Sequence, residues 1–597
     1  KIRPEVWKMI RDYYVNTQIK GANGTGAWGY TPGDQSPRLT MTLAGICGLL
    51  IAGQELKTGR QQLNMFDGVA KKCGVYEEEE ALESALRWLE GRGNFSWNLG
   101  QYNYYSIYGV ERTGRLSGRR FLANRDWYRE GCEELLTKQQ EDGSWSGRGL
   151  DGWTNVSTAF AMLFLSKGRT PILITKLAWG QKNEWNNKHN DVKNVVDFAS
   201  RQLFNRTPLA WQVHDGRHLE QSQLLIEVGD LLNSPIVYLN GHEAPQLTGL
   251  QKEMLKRYVQ EGGFIFGEAC CGSKEFATGF RDLMKELFEK DMTPVPGDHA
   301  LYKAYAPVDP NAFPLERLDL GCKTVVVLSP RPLAGWWEEN LFDQKANVGR
   351  GELAFRLAAN VVAYATGMEL PKQRGIRVQL TDDKTEVKLP RGFLKVAQIR
   401  HEGDWQPAPA AMKNLMAHMR QDAKLDLALT TDPVSITNAS MFQYRFFYMH
   451  GRKKFTYGDP DLKNLRANLK TGGLLLADAC CGSREFDAAF REMAAKLFPD
   501  AKLELIPSTD ELYSRALNGT EIKTVKCRLP KEGGSPELRP IAPALEGIKV
   551  NGRWAVIYSK YDLGCALEKH PSSDCIGHDH DSALRLASAA VLYYLKH

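Results

Sequence analysis

Two adjacent cysteines follow an acid at the end of an apolar run in GGFIFGEACCGSKEF (Gly262–Phe276), and the same order returns in GGLLLADACCGSREF (Gly472–Phe486). Each pair lies between a strand-like run and a helix-like run. In an open α/β sheet that is the carboxyl end of a strand, where ligands bind. A thiol near a helix start loses its proton more readily, and it becomes a nucleophile when a histidine acts as base and a third group orients that base. Cys270 and Cys271, with Cys480 and Cys481 as their second-copy equivalents, are therefore candidate catalytic residues. His242 and His299 are the candidate bases, and Glu268 is a candidate acid–base group with Asp478 as its counterpart. The plainer alternatives are cysteines that pack as small apolar groups or form a disulfide, and acids that cap a helix or join a local hydrogen-bond network.

The distance between the pairs, Cys480 minus Cys270, is 210 residues. At that offset YLNGH (Tyr238–His242) meets YMHGR (Tyr448–Arg452), so Arg452 replaces His242 and His450 replaces Asn240. HALY (His299–Tyr302) meets DELY (Asp510–Tyr513), and FRLAANVVAY (Phe355–Tyr364) meets LRLASAAVLY (Leu584–Tyr593). A whole domain is duplicated, while the candidate bases are not. The eleven cysteines show no zinc-ribbon or CxxC spacing, so no metal or other cofactor is expected. The run DCIGHDHDS (Asp574–Ser582) offers Cys575, His578 and His580 as the only candidate donors, against the simpler reading of a polar loop before the last helix.

The elements that must hold these residues fall into three blocks. Residues 1–170 carry apolar residues at helical spacing over Pro4–Gln18, Leu39–Gln54, Glu77–Glu90, Gln101–Thr113, Asn124–Gln140 and Asn155–Lys167. Two of the intervening loops, GANGTGAWGY (Gly21–Tyr30) and QEDGSW (Gln140–Trp145), share a Gly-x-Trp turn after a helix end, as expected of stacked helical hairpins. Residues 171–208 are read as a connector. Strand and helix patterns then alternate through a first α/β domain (209–370), a polar linker (371–390) and a second α/β domain (391–597).

The second copy, from GFLKVAQIRHEGDWQPAPAAMKNL (Gly392–Leu415) through GGLLLADACCGSREF to the last helix, resembles the domain-of-unknown-function family numbered 4159. A shorter version of the resemblance covers about Leu209 to Gly367. It implies a flavodoxin-like, three-layer fold related to class I glutamine amidotransferases, and no particular activity. QQEDGSW (Gln139–Trp145), YNYYSIYGVERTG (Tyr102–Gly114) and WTNVSTAFAMLFLSKGR (Trp153–Arg169) resemble the α/α-toroid repeats of squalene–hopene cyclases and protein prenyltransferases. Six helices imply a partial toroid. The DxDD acid motif of the cyclases has no counterpart here, the nearest Asp loop being TPGDQSP (Thr31–Pro37), so terpene cyclisation is not expected.

The chain is thus expected to be multidomain, a partial all-α toroid followed by two flavodoxin-like α/β domains. A net charge of +6 over 597 residues, with no dense basic run, argues against nucleic acid as partner. No apolar stretch reaches the ~20 residues that span a bilayer. A start at Lys1 raises the expectation of a removed signal and an extracytoplasmic, periplasmic location. Loop aromatics Trp28, Tyr30, Trp97, Tyr104, Trp145 and Trp153 are candidate ligand contacts for a lipid, isoprenoid or glycan if they share a concavity, and otherwise pack repeat layers. The leading expectation is a non-catalytic binding or scaffolding protein with an unknown ligand or protein partner, in a homo-oligomer or larger assembly. The second is a thiol-dependent hydrolase or amidotransferase-like enzyme using Cys270 or Cys271.

Overall fold

The computed structural model describes residues 2–56, 61–97, 103–180, 183–342, 349–373, 394–422, 427–429, 433–531, 534–569 and 574–597. The chain divides into two compact units. One holds the helical region and most of the first α/β domain; the other holds the second α/β domain together with Asp319–Val325 and Ala363–Met368. Among the described residues no helix is long and apolar enough to cross a membrane.

The helical region contains α1 (Pro4–Thr17), α2 (Leu39–Glu55), α3 (Glu79–Glu90), α4 (Asn103–Ser117), α5 (Trp127–Lys138) and α6 (Thr154–Gly168). Their apolar stripes close over a core that includes Leu43, Ile46, Leu89, Ile107, Trp127 and Phe164. The two Gly-x-Trp turns do the same work. Trp28 Nε1 donates to the Tyr14 carbonyl at 2.9 Å, and Trp145 Nε1 donates to the Leu135 carbonyl at 2.8 Å. Each indole satisfies an orphan carbonyl in the last turn of the helix before it. Each Trp also donates its backbone N–H to a threonine of the next helix, Thr42 and Thr158.

In the first α/β domain the strands are β1 (Ile172–Ala178), β2 (Ala210–Asp215), β3 (Ile236–Gly241), β4 (Phe264–Ala269), β5 (Thr293–Pro294), β6 (Glu316–Leu320) and β7 (Lys323–Ser329), in the order β2-β1-β3-β4-β7-β6-β5. The second repeats that order as β9-β8-β10-β11-β14-β13-β12, with β8 (Leu394–Gln398), β9 (Leu427–Leu429), β10 (Phe446–Gly451), β11 (Leu474–Ala479), β12 (Glu504–Leu505), β13 (Glu546–Val550) and β14 (Arg553–Ser559). The first five strands of each order run parallel. The outer ones add antiparallel pairs, so both sheets are mixed. Parallel strands need crossover helices on the faces, which is why β4 and β11 are buried at every position.

One boundary differs from the sequence reading. The segment 171–208, read as a connector, supplies β1 and the helix Asp191–Leu203 of the first α/β domain. Strand β1 is buried at all seven positions, but Lys176 interrupts its apolar run. The ammonium is neutralised inside the domain by Asp191 at 2.9 and 3.0 Å and by the Lys188 carbonyl at 2.6 Å. Most of the 371–390 linker lies outside the described residues.

Gly241 and Gly451 end β3 and β10, just before His242 and Arg452. A Cβ on Gly241 would lie 2.4 Å from the Trp179 ring, and one on Gly451 would lie 2.6 Å from both His401 and Phe486. All three rings are buried, so the extra methyl forces repacking. We expect Gly241→Ala and Gly451→Ala each to cost about 1–3 kcal/mol, read as a lower midpoint of denaturant unfolding. Unchanged midpoints in both variants would show that these contacts relax freely.

Candidate metal centres

Strands β4 and β11 each end in a sharp elbow. Cys271 and Cys481 adopt the left-handed conformation, with φ of 52° and 50°, which costs a residue with a Cβ on the order of 1 kcal/mol. Gly272 and Gly482 follow at φ 74° and 66°. The chain then enters the helices Lys274–Phe288 and Arg484–Leu497, whose first turns are capped by Ser273 and Ser483 through Phe276 N and Phe486 N. The same hydroxyls donate to the carbonyls of His242 and Arg452 and so tie the elbow to the neighbouring strand end.

The acid before each elbow is fully buried and is a hub. Glu268 accepts the backbone N–H of Leu333 at 2.7 Å and of Ala334 at 3.2 Å, and takes a third bond from Asn240 at 3.1 Å. Asp478 accepts from Leu563 N at 2.8 Å, Gly564 N at 3.1 Å and the Tyr448 hydroxyl at 2.7 Å, with His450 Nδ1 at 3.1 Å. These acids therefore cap the short helices that begin at Ala334 and Gly564, and not the helix that follows each cysteine pair. Burial raises the pKa of Glu268. Burial pushes Asp478 the same way, but the charge and hydrogen bond of His450 bring it below the usual carboxylate range.

In the first copy the elbow thiols meet two further donors. Donor atoms of Cys73, His242, Cys270 and Cys271 all lie within 4.8 Å of one another. Cys73 comes from the loop between α2 and α3, and its sulfur stands 3.4 Å from that of Cys270. Hydrogen bonds with Cys270 and Cys73, aided by His242 and the charge of Lys188, hold the Cys271 thiol far below its ordinary range despite burial. Contacts with Cys271 and Cys73 push His242 up to about 10. His242 Nδ1 faces Glu184 Oε2 at 3.4 Å, which leaves Nε2 for the sulfurs. Lys188 is 1% exposed and bonds Gln61; burial lowers its pKa, but the neighbouring thiols of Cys270, Cys73 and Cys271 raise it well above the ordinary lysine value.

In the second copy the elbow thiols meet a different set. Cys322, Cys480, Cys481 and Cys565 have sulfurs within 4.8 Å of one another, and a further group joins Cys481, Asp562, Cys565 and Cys575 within the same limit. Cys565 lies 2.8 Å from Cys322, 3.6 Å from Cys480 and 3.9 Å from Cys481. A tetrahedral ion with metal–sulfur bonds of about 2.3 Å places its sulfurs about 3.8 Å apart; Cys480 and Cys481 lie close to that distance from Cys565, while Cys73 and Cys270, at 3.4 Å, and Cys322 and Cys565, at 2.8 Å, are closer together. A multi-iron cluster interposes its own sulfides and needs wider spacing. Both donor sets thus fit a single thiophilic ion of the zinc class, a Cys₃His set in the first copy and a Cys₄ set in the second.

The family description "Domain of unknown function (DUF4159)" matches residues 173–366 and 395–595, about two thirds of the chain. The chain belongs to the DUF4159 family. Each match contains one elbow; the donors gathered at the second elbow include Cys322, which lies within the first match. The helical region lies before the first match and contributes Cys73 to that copy's set. No curated protein matches the chain.

Of the residues singled out from sequence, Cys270, Cys271 and His242 come together, as do Cys480, Cys481 and Cys575. His299 does not join the thiols. Its Nδ1 accepts Leu301 N at 3.2 Å to start a turn, as the carboxylate of Asp510 accepts Leu512 N at 3.0 Å in the second copy. The His-to-Asp exchange between copies therefore preserves a cap. His578 Nδ1 faces the Lys526 carbonyl and His580 Nδ1 the Ala566 carbonyl, and neither is in a donor set. The six aromatics do not share a concavity: Trp28, Tyr104 and Trp145 are core residues and Trp97 bonds Glu130, while Tyr30 and Trp153 are exposed. Sequence reading missed Cys73, Cys322, Cys565, Asp562, Lys188 and Lys323. A signal existed for three of them, because the tetrapeptide DLGC occurs as Asp319–Cys322 and again as Asp562–Cys565.

A histidine that only caps a turn should be separable from the thiols. His299→Ala is expected to cost about 1 kcal/mol of stability and leave the alkylation rate of Cys271 unchanged across pH. A slowed rate with a shifted pH profile would restore His299 as a base.

Proposed function

We propose that the chain is a non-catalytic binding or scaffolding protein whose first DUF4159 domain is closed by a divalent ion of the zinc class on Cys73, His242, Cys270 and Cys271. One observation carries this reading: four donors from three separated stretches of chain converge within 4.8 Å. Four protein ligands leave no open position for a substrate, which is the pattern of a structural site rather than a catalytic one. Glu184 behind His242 supplies the carboxylate that metal-bound histidines usually contact through their second nitrogen. Three thiolates around a divalent ion leave one negative charge, and the buried ammonium of Lys188 offsets it. The ion would fasten the α2–α3 loop to the strand-end elbow. The resemblance of the helical region to half an α/α toroid, and of both DUF4159 copies to flavodoxin-like sandwiches, supports a scaffold built from binding surfaces.

A second reading has its own observation. Cys271 sits on a left-handed elbow, is only partly buried, and pairs a low-pKa thiol with a raised histidine, the arrangement of a thiolate nucleophile beside an imidazolium.

Metal analysis of protein purified without chelators separates the two. We expect bound zinc, with one equivalent lost in Cys73→Ser together with a lower melting temperature, and Cys271 that resists alkylation until a chelator is added. Metal-free protein that does not take up zinc against a micromolar chelating dye, and whose Cys271 alkylates rapidly at neutral pH, would reject the metal reading and favour the nucleophile.

A further inference from the structure

The second copy holds more donors than one ion can use. We propose that Cys322, Cys480, Cys481, Cys565, Cys575 and Asp562 bind a pair of divalent, thiophilic ions, bridged by the sulfurs of Cys481 and Cys565. This rests on the metal–thiolate reading of the elbows and extends it to a different nuclearity.

The two donor sets share two members. Cys481 and Cys565 belong both to the group with Cys322 and Cys480 and to the group with Asp562 and Cys575. Six donors with two shared give each ion four ligands, the coordination number that thiolate-bound zinc adopts. A thiolate sulfur has lone pairs for two metals, so sharing needs no further group. Cys575 is drawn to the elbow by the backbone: Ile576 N donates to the Cys481 carbonyl at 3.3 Å, and Asp562 N donates to the Ile576 carbonyl at 3.2 Å. The Asp562 carboxylate accepts from Cys481 N at 2.7 Å, Cys565 N at 2.8 Å and Ala566 N at 3.2 Å. Those bonds orient it: Oδ1 takes two of them, and Oδ2, which takes one, keeps a lone pair for an ion.

Charge favours two ions over one. Five thiolates and a carboxylate around one divalent ion would leave four negative charges in an almost dry interior, a severe desolvation cost. A second ion halves that excess. Lys323, the residue after Cys322, adds a basic side chain to the same interior: it is 3% exposed, and its Nζ has no hydrogen-bond partner among the described residues. His450 gives independent support. Its Nδ1 is occupied by Asp478, while its buried Nε2 has no hydrogen-bond partner among the described residues, and the ring forms a third donor group with Cys480, Asp562 and Cys565. The first copy lacks these features, with Asn240 at the His450 position and Gly335 where the helix start matches Cys565.

The test uses the full chain, with Cys73→Ser to silence the first site. After loading with zinc and desalting, two equivalents are expected, falling to one in the added variants Cys575→Ser or Asp562→Asn. Titration of the apo chain with Co(II) gives a second readout that needs no second-copy variant. The high-spin Co(II) paramagnetic resonance signal should rise with the first equivalent and fall as the second enters and couples through the shared sulfurs. A single equivalent, or a signal that grows in proportion to bound cobalt, would overturn the bridged pair and leave the one-ion reading intact. No bound metal in this variant, with one equivalent in wild type, would confine metal binding to the first copy. No metal in either protein would remove both.

Discussion

A carboxylate buried at the end of a central strand must find donors or lose its charge, and both DUF4159 domains are organised around that requirement. Glu268 and Asp478 take backbone N–H groups from the start of a short helix and side-chain donors from the adjacent strand. The acid therefore sets the distance from the central strand to the chain that follows the next parallel strand. The cysteine pair begins two residues later, so its sulfurs open into the space that the acid has framed. Removing the acid would orphan two helix N–H groups and cost more than one hydrogen bond.

The frame is common to both copies, and its contents are not. At the helix start beside the acid, the first copy has Gly335, which packs against Leu63 and Gly68 and admits the helical region's loop. The second copy has Cys565 at the corresponding place and fills the space with thiols from its own unit. One elbow recruits a histidine and a cysteine from upstream; the other recruits three cysteines and an aspartate. Duplication preserved a device for aiming two sulfurs and left each copy to find partners from the chain packed against it.

Period and repetition were enough to recover most of the fold from sequence. The six helices of the first region fall within a few residues of their hydrophobic periods, and the duplication follows from simple counting. Strand β1 was missed because Lys176 breaks its apolar run, and only the distant carboxylate of Asp191 makes that lysine tolerable. The elbows were found at their correct place in the sheet. The donors gathered around them were not, because metal-binding patterns in sequence depend on short spacings, while Cys73 and Cys270 are 197 residues apart and Cys322 and Cys565 are 243 apart. Proximity of that kind is a product of folding. The repeated DLGC was the one local trace of it.

That separation also has a meaning in time. At a synthesis rate of about 5–20 residues per second, the loop bearing Cys73 leaves the ribosome roughly 10–40 s before the elbow it joins. Cys322 waits comparably long, across 159 residues, for Cys481 of the second elbow. Each nascent chain therefore carries an unpaired thiol through an interval longer than most domains need to collapse. During it the thiol is open to oxidants, to stray metal and to the wrong cysteine. The late-arriving elbow, with both sulfurs already aimed by its left-handed turn, is the component that ends that exposure.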